Sequence, residues 1–312
     1  MTHTAQASAQ LARHITRSAS RQTDLTVSFL VDRPRVEDAY RAYAYFRWVD
    51  DYLDHPGSPP DDCRHFLDRQ VRLLELAYAG KAFPTTAEEQ MLLDLVAPGS
   101  DPEDGLGRYL HSMMDVMAFD VHRRGRPVSE AELSRYTYAL AVAVTEVLHY
   151  FIGHDSPSPM SPARYQAVRG AHIAHMLRDL PEDLLNGYIN IPTEVLDGRH
   201  VQTLDPRAPW FVEWVRRRVA EARACLLDGK GYFQEAESRR CRIAALAYML
   251  RFEDALRAIE RADFILDPRT IPAGRASSTI LRAALAGLRR SGSRPGRPPS
   301  TAPVIPPPRP TS

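Results

Sequence analysis

Apolar residues recur at intervals of three and four from about residue 34 to about residue 285, and no stretch alternates in the manner of a sheet strand. This periodicity predicts helices over 34–54, 60–79, 86–95, 104–122, 129–152, 162–180, 208–229, 233–264 and 275–290. Turn-forming clusters separate several of them: Pro56-Gly57-Ser58-Pro59-Pro60, Pro98-Gly99-Ser100-Asp101-Pro102 and Asp155-Ser156-Pro157-Ser158-Pro159. Ser161-Pro162 reads as an N-cap followed by proline in the first turn. The expected fold is all-α, a single helical domain over 21–290. Residues 1–20, polar and alanine-rich, read as an N-terminal arm, loosely held or a short helix. Residues 291–312 are rich in Pro, Ser and Arg, cannot bury a core, and read as a disordered tail.

Two of these helices change character along one face. In the first, Val36, Tyr40, Tyr43, Arg47, Asp50 and Asp54 step by four and three, so an apolar stripe turns into an arginine and two carboxylates. Downstream, Tyr165, Val168, His172, His175, Asp179 and Asp183 repeat the pattern, with Arg178 beside them. Charge on the inward face of a helix is costly unless it meets a counter-ion. Carboxylates at i and i+4 stand roughly 5–6 Å apart at Cβ, a separation suited to gripping a hard cation. Mg²⁺ fits, because it takes oxygen ligands and completes its shell with substrate phosphates. Pro181, between Asp179 and Asp183, predicts a kink at that turn.

Bulk properties narrow the function classes. The 40 basic and 39 acidic side chains nearly cancel, which argues against a nucleic-acid binder. Cys63, Cys225 and Cys241 are too scattered for a disulfide framework or a zinc cluster, and read as reduced thiols of a cytoplasmic protein. No segment has the length of a membrane span, and the N-terminus has no signal-peptide core. From Pro268 onward there are eight arginines and no acidic residue, so the tail could make a weak peripheral contact with an anionic lipid surface.

The motifs resemble those of the squalene/phytoene synthases, the head-to-head branch of the trans-isoprenyl diphosphate synthases. The resemblance runs from about Ser28 to about Asp267. Ser28-Phe29 looks like the family's Ser-Phe pair. The run Tyr40 to Arg47, followed by Asp50 and Asp54, looks like its first aspartate motif. Leu177-Arg178-Asp179 with Glu182-Asp183, then Asn186 to Pro192, looks like the second motif and its strand-like exit segment. Tyr136 to Leu148 aligns with the family's central helix, and Asp120 with Arg126 fits the acidic and arginine positions before it. The chain reads as a divergent member. His172 and His175 stand where the family usually carries Gln and Asn, and Val142 and Thr145 where it usually carries glycines. Tyr188 and Asn190 stand where it usually carries Arg and Tyr.

The resemblance implies an isoprenoid-synthase-type bundle around a central cavity, and a Mg²⁺-dependent prenyltransferase. Asp50, Asp54, Asp179 and Asp183 would hold Mg²⁺ on the diphosphate of an allylic prenyl donor, with Arg47 and Arg178 stabilising the leaving pyrophosphate. Ser28, Phe29, Tyr40, Tyr43, Tyr138, Val142, Thr145 and Asn190 would line the substrate site. Tyr40, Tyr43, Tyr138 and Tyr165 are also candidates for cation–π contacts with a carbocation. The family's acceptor is a second prenyl diphosphate, joined through a cyclopropyl intermediate. The substituted positions favour the alternative that one prenyl group goes to an aromatic natural-product acceptor; terpene cyclisation and a non-catalytic assembly role are lesser alternatives. His172 and His175 read either as hydrogen-bonded histidines facing a polar cavity or as a general base. Glu146 and His149, one turn apart, belong either to the cavity or to a helix-packing hydrogen bond.

Overall fold

A computed structural model describes residues 3–55 and 57–266. These residues form eleven α-helices: α1 (His3–Ala19), α2 (Arg21–Leu30), α3 (Val36–Leu53), α4 (Pro60–Tyr78), α5 (Ala87–Leu95), α6 (Gly105–Arg123), α7 (Glu130–Phe151), α8 (Gln166–Leu185), the single turn α9 (Thr193–Leu196), α10 (Pro209–Glu235) and α11 (Arg239–Arg261). No strand occurs among the described residues; one isolated bridge pairs Pro127 with Ile189, in the segment expected to be strand-like. The expected helix at 275–290 and the tail lie outside the described residues. No helix among the described residues is long and apolar enough to cross a membrane. Cys63, Cys225 and Cys241 are buried thiols.

Local sequence explains most boundaries. Thr86, Asp104, Ser129 and Ser238 each cap the helix that follows by accepting a backbone N–H, and Ser129 with Glu132 closes a reciprocal capping box. Pro60 and Pro209 open α4 and α10 at the position where a missing N–H is harmless. Ser161-Pro162 does not open α8. The chain turns there, with the Arg164 N–H donating to the Ser161 carbonyl, and α8 begins four residues later. The turn aims Arg164 inward onto Glu146, and that ion pair overrides the local start signal.

The N-terminal segment is a 17-residue helix rather than a loosely held arm. It packs on α3 and α5 and buries Ser8, Ala9, Ala12 and Thr16. Arg41 is the reason: only 4% exposed, it donates to Ser8 Oγ (3.0 Å), the Ala5 carbonyl (2.7 Å) and Asp38 (2.7 Å). Ser8 in turn donates to Asp94 on α5. A buried guanidinium needs this full set of acceptors, and the first helix supplies two of them.

The most extensive helix pairs are α8 with α10 and α6 with α7. The α8–α10 contact is close because two glycines remove side chains from it. A Cβ on Gly229 would fall on the backbone of Ala167, and one on Gly170 would lie 2.7 Å from the Ala222 carbonyl. Gly229→Ala is therefore expected to push α10 from α8 and destabilise the protein by about 1–3 kcal/mol, read from the urea midpoint. A stability within about 0.5 kcal/mol of wild type would show that the pair separates without penalty.

Candidate active site

A cavity of about 450 Å³ opens between α3, α6, α8 and the segment after α8. Its lining includes Asp50 and Asp54, Asp120 with Arg123 and Arg124, Tyr136, then His172, His175, Asp179, Asp183, Tyr188 and Asn190. The two aspartate motifs, more than a hundred residues apart in sequence, thus face one space. α8 continues through Pro181 to Leu185, and both of its aspartates line the cavity.

The carboxylates differ in what neutralises them. Burial and the neighbouring charge of Asp54 push the Asp50 carboxyl up to about 6, against a partial offset from Arg47. Burial and Asp179 push Asp183 to about 6 in the same way, although Asn190 Nδ2 donates to it at 2.7 Å. Asp54 accepts from the Tyr188 hydroxyl at 2.7 Å. Asp179 is the opposite case. Burial alone would raise it, but Arg178 grips both its oxygens (2.5 and 2.6 Å) and His175 Nε2 lies 2.6 Å from one of them, so its carboxyl falls well below the usual range.

Three residues not singled out as site residues complete the wall. Arg123 donates to Asp120 at 2.6 Å and also to the side-chain Oδ1 of Asn190. Its guanidinium lies over the rings of Tyr136 (4.8 Å) and Tyr188 (4.9 Å). Tyr136 donates to Asp120 at 3.2 Å. Asp120 is therefore paired with Arg123, not with Arg126, which is exposed and bonds Glu132. The i,i+3 spacing of Asp120 and Arg123 was the available signal.

Other expected site residues lie elsewhere. Arg47 is on the outer side of α3, bridging Asp50 (3.3 Å) and Asp51. Tyr40 is buried and donates to Asp24 (2.6 Å), with Ser28 at 2.9 Å from its hydroxyl, a cluster joining α2 to α3. Phe29 is 74% exposed. Tyr138 is also exposed, edge-on to Tyr165. Val142 and Thr145 line neither this cavity nor the apolar one described next. Thr145 is buried, its hydroxyl without a partner among the described residues, and Val142 is half-buried. Glu146 is held bidentately by Arg164 (2.8 and 2.9 Å), and His149 stacks on Phe233 beside Tyr232 and Cys241. Both are helix-packing groups.

The second cavity, about 310 Å³, is lined by α2, α3, α6, α7 and α11, including Val27, Tyr43, Tyr109, Val144, Leu148, Phe151 and Tyr248. Val144, Val147, Leu148 and Phe151 lie on the side of α7 roughly opposite Val142 and Thr145. From Tyr43 to Asp50 is about 10 Å along the axis of α3, so apolar and acidic cavities follow one another on the same helix. Arg251 lines the apolar cavity, and its guanidinium feels both Arg178 and Asp179.

The donor set fits a hard divalent cation. Asp50 and Asp183 carry raised pKa values first because they are buried and then because each faces a second carboxylate, and oxygen is the only ligand type they offer. Among the described residues no three carboxylate, imidazole or thiol groups converge enough to chelate a metal alone. A cation held here would share its shell with oxygens of a ligand. Asp179 could join it only by exchanging Arg178 and His175.

The squalene/phytoene synthase family model matches residues 16–285. A presqualene diphosphate synthase of Rhodopseudomonas palustris is 26% identical over 178 residues, 57% of this chain and 61% of that protein's length. A dehydrosqualene synthase crystal structure superposes with a TM-score of 0.69 at 16% identity, covering 91% of this chain and 96% of that one. The squalene synthase HpnC of Alicyclobacillus acidocaldarius gives 0.66 at 21% identity, covering 85% and 97%. These likenesses agree with the all-helical architecture of the described residues, and the paired aspartate helices lie within the span matched by the family model. The chain belongs to the squalene/phytoene synthase family.

Proposed function

We propose that the protein is a Mg²⁺-dependent prenyltransferase that ionises an allylic prenyl diphosphate and joins the resulting carbocation head-to-head to a second prenyl diphosphate. The observation that carries this reading is the convergence of Asp50 and Asp54 on α3 with Asp179 and Asp183 on α8 around one cavity, next to an apolar one. Family membership and the presqualene diphosphate synthase relative support the same substrate class.

Asp50, Asp54 and Asp183 would hold the cation, which when bound would supply Lewis-acid stabilisation of the negative charge on departing pyrophosphate. Arg178 and Arg251 add fixed positive charge on the side toward the apolar cavity. The C–O bond breaks with its electrons leaving on the pyrophosphate. Tyr43, Tyr109, Phe151 and Tyr248 provide the apolar, aromatic surroundings that exclude bulk water and receive the allylic chain. The alkene of the acceptor then forms the new carbon–carbon bond and loses a proton to the released pyrophosphate.

The test is pyrophosphate release with Mg²⁺ from five-, ten-, fifteen- and twenty-carbon allylic diphosphates, each supplied alone, with organic products identified by mass. A product with doubled carbon count is expected from one donor. Pyrophosphate without carbon doubling would replace coupling of two prenyl groups by transfer to another acceptor or cyclisation. No release from any donor would overturn the reading.

A further inference from the structure

The segment that leaves α8 reaches the acidic cavity with two side chains, and each ends on a carboxylate. Tyr188 donates its hydroxyl hydrogen to Asp54 Oδ1 (2.7 Å), and Asn190 donates from Nδ2 to Asp183 Oδ2 (2.7 Å). The two residues alternate along the segment and so reach the same side of it, with Ile189 between them bridged to Pro127. The second oxygens, Asp54 Oδ2 and Asp183 Oδ1, take no hydrogen bond among the described residues. Both donors meet Arg123. Its Nη1 donates to Asn190 Oδ1, and its guanidinium lies over the Tyr188 ring (4.9 Å). The bond to Oδ1 decides which way the amide faces. Turned over, Asn190 would set its oxygen against the Asp183 carboxylate and its NH₂ against the guanidinium. Nε of Arg123 is anchored on Asp120 Oδ1 (2.6 Å), whose other oxygen accepts from the Tyr136 hydroxyl (3.2 Å). The exit segment itself carries tyrosine at 188, where the family pattern has arginine, so the cation at this wall comes from α6. Arg123 is only 5% exposed, so its guanidinium is turned to protein groups and presents little surface to a ligand.

We infer that Arg123 is a positioning residue: through Asn190 and Tyr188 it orients Asp183 and Asp54, one carboxylate from each aspartate helix, so that each keeps an oxygen turned to a shared cation. This rests on the Mg²⁺ site of the proposed function and assigns what aligns its ligands. One buried guanidinium thereby ties together two helices, α3 and α8, that carry the two halves of the site. Groups that orient a metal-binding side chain typically contribute about 10–100-fold in metal affinity. Loss of Arg123 therefore acts on the Mg²⁺ concentration that the site needs.

The experiment titrates Mg²⁺ into the full chain with saturating inorganic pyrophosphate and follows binding by calorimetry, so no turnover is needed. Arg123→Lys keeps the charge and can reach Asp120, but a single ammonium does not reproduce the fork that also holds the Asn190 amide. It is expected to raise the Mg²⁺ concentration at half-saturation by about 10–100-fold. Asn190→Leu keeps the volume and loses both hydrogen bonds, and Tyr188→Phe loses only the bond to Asp54; each is expected to raise half-saturation by about 10-fold. Adding Asn190→Leu to Arg123→Lys is expected to change half-saturation by no more than about twofold, because the Asn190 route is already lost. The number of sites at saturation counts folded protein, so a merely structural loss lowers that number and leaves the half-saturation point in place. Half-saturation within about twofold of wild type in Arg123→Lys overturns the inference, as does a loss that multiplies in the double variant. If Arg123→Lys does not fold, unchanged half-saturation in Asn190→Leu and Tyr188→Phe overturns it. A wild type that binds no Mg²⁺ with pyrophosphate overturns instead the cation site of the proposed function.

Discussion

Asp50→Asn is expected to lower Mg²⁺-dependent pyrophosphate release by about 10²–10³-fold, the scale of losing one charge-stabilising group at a reacting centre, while making the metal-free protein more stable at neutral pH. The two effects have one cause. Asp50 has its carboxyl pushed to about 6 by burial and by Asp54, so its folded pKa lies above the unfolded value of 3.8. A carboxyl raised on folding binds its proton more tightly in the folded state. Its stabilising contribution is therefore present below about 4 and is lost as pH rises through about 6. Asp183, raised likewise, behaves the same way. Metal-free wild type should thus gain Tm from these two groups between pH 6 and pH 4, and Asp50→Asn should flatten that gain. Adding Mg²⁺ with inorganic pyrophosphate at pH 7 should raise the wild-type Tm more than that of the variant. Activity within tenfold of wild type would remove Asp50 from the ionising machinery, and an unchanged metal-free Tm would show that the cavity does not crowd its carboxylates.

The aspartates of this site were legible because they break the rule that a helix's inward face is apolar. Asp50 and Asp54 continue the stripe of Val36, Tyr40 and Tyr43, and Asp179 and Asp183 continue that of Val168. The stripe does not tell how far each member is from the cavity. Tyr43 lies on the apolar cavity, whereas Tyr40, one turn earlier, is spent on Asp24 and Ser28. Arg47 lies at the edge of the same stripe, and its long side chain bends outward to Asp51. On α7, the residues that differ from the family pattern, Val142 and Thr145, were expected to line the substrate site. The cavity instead touches Val144, Val147 and Leu148, because the Glu146 side of the helix is fixed to its neighbours by Arg164. A helix of apolar residues on nearly all sides gives no periodic signal for which face meets a cavity and which meets another helix.

The helix count was readable over most of the chain, and the misplaced ends have particular reasons. Helix α10 runs to Glu235 through Gly229 and Gly231, past the expected end at 229. Gly229 is there for contact with Ala167, and a packing glycine looks in sequence like a helix terminator. The next start was visible: Ser238 caps α11 through the Cys241 N–H, five residues after the expected beginning. For the first helix, the composition of residues 1–20 left a short helix and a loosely held arm equally open. Its anchor, Arg41, is on α3, and nothing local to residues 3–19 shows that a buried guanidinium needs the Ala5 carbonyl and Ser8.

Arg164→Met is expected to destabilise the protein by about 3–5 kcal/mol, the usual consequence of removing one partner from a buried ion pair. Arg164 and Glu146 are 3% and 4% exposed, and the guanidinium also donates to the Tyr232 hydroxyl (2.8 Å) and the Ser158 carbonyl (2.9 Å). Methionine keeps much of the volume and leaves Glu146 with the Tyr165 hydroxyl at 2.7 Å as its remaining described partner. Adding Glu146→Leu removes the stranded charge, so the double variant should recover most of the loss, because a well-packed apolar pair replaces a buried ion pair at little cost. Urea denaturation of wild type, both single variants and the double variant gives the coupling energy directly. A single-variant loss below about 1 kcal/mol would mean that water reaches this pair. The pair also matters to the site, because Arg164 stands two residues before α8 and fixes where that helix starts against α7. If that start sets the depth of Asp179 and Asp183 in the cavity, the stable double variant should still show weakened Mg²⁺-dependent pyrophosphate release; full activity would show that α10, through Gly170 and Gly229, positions α8 unaided.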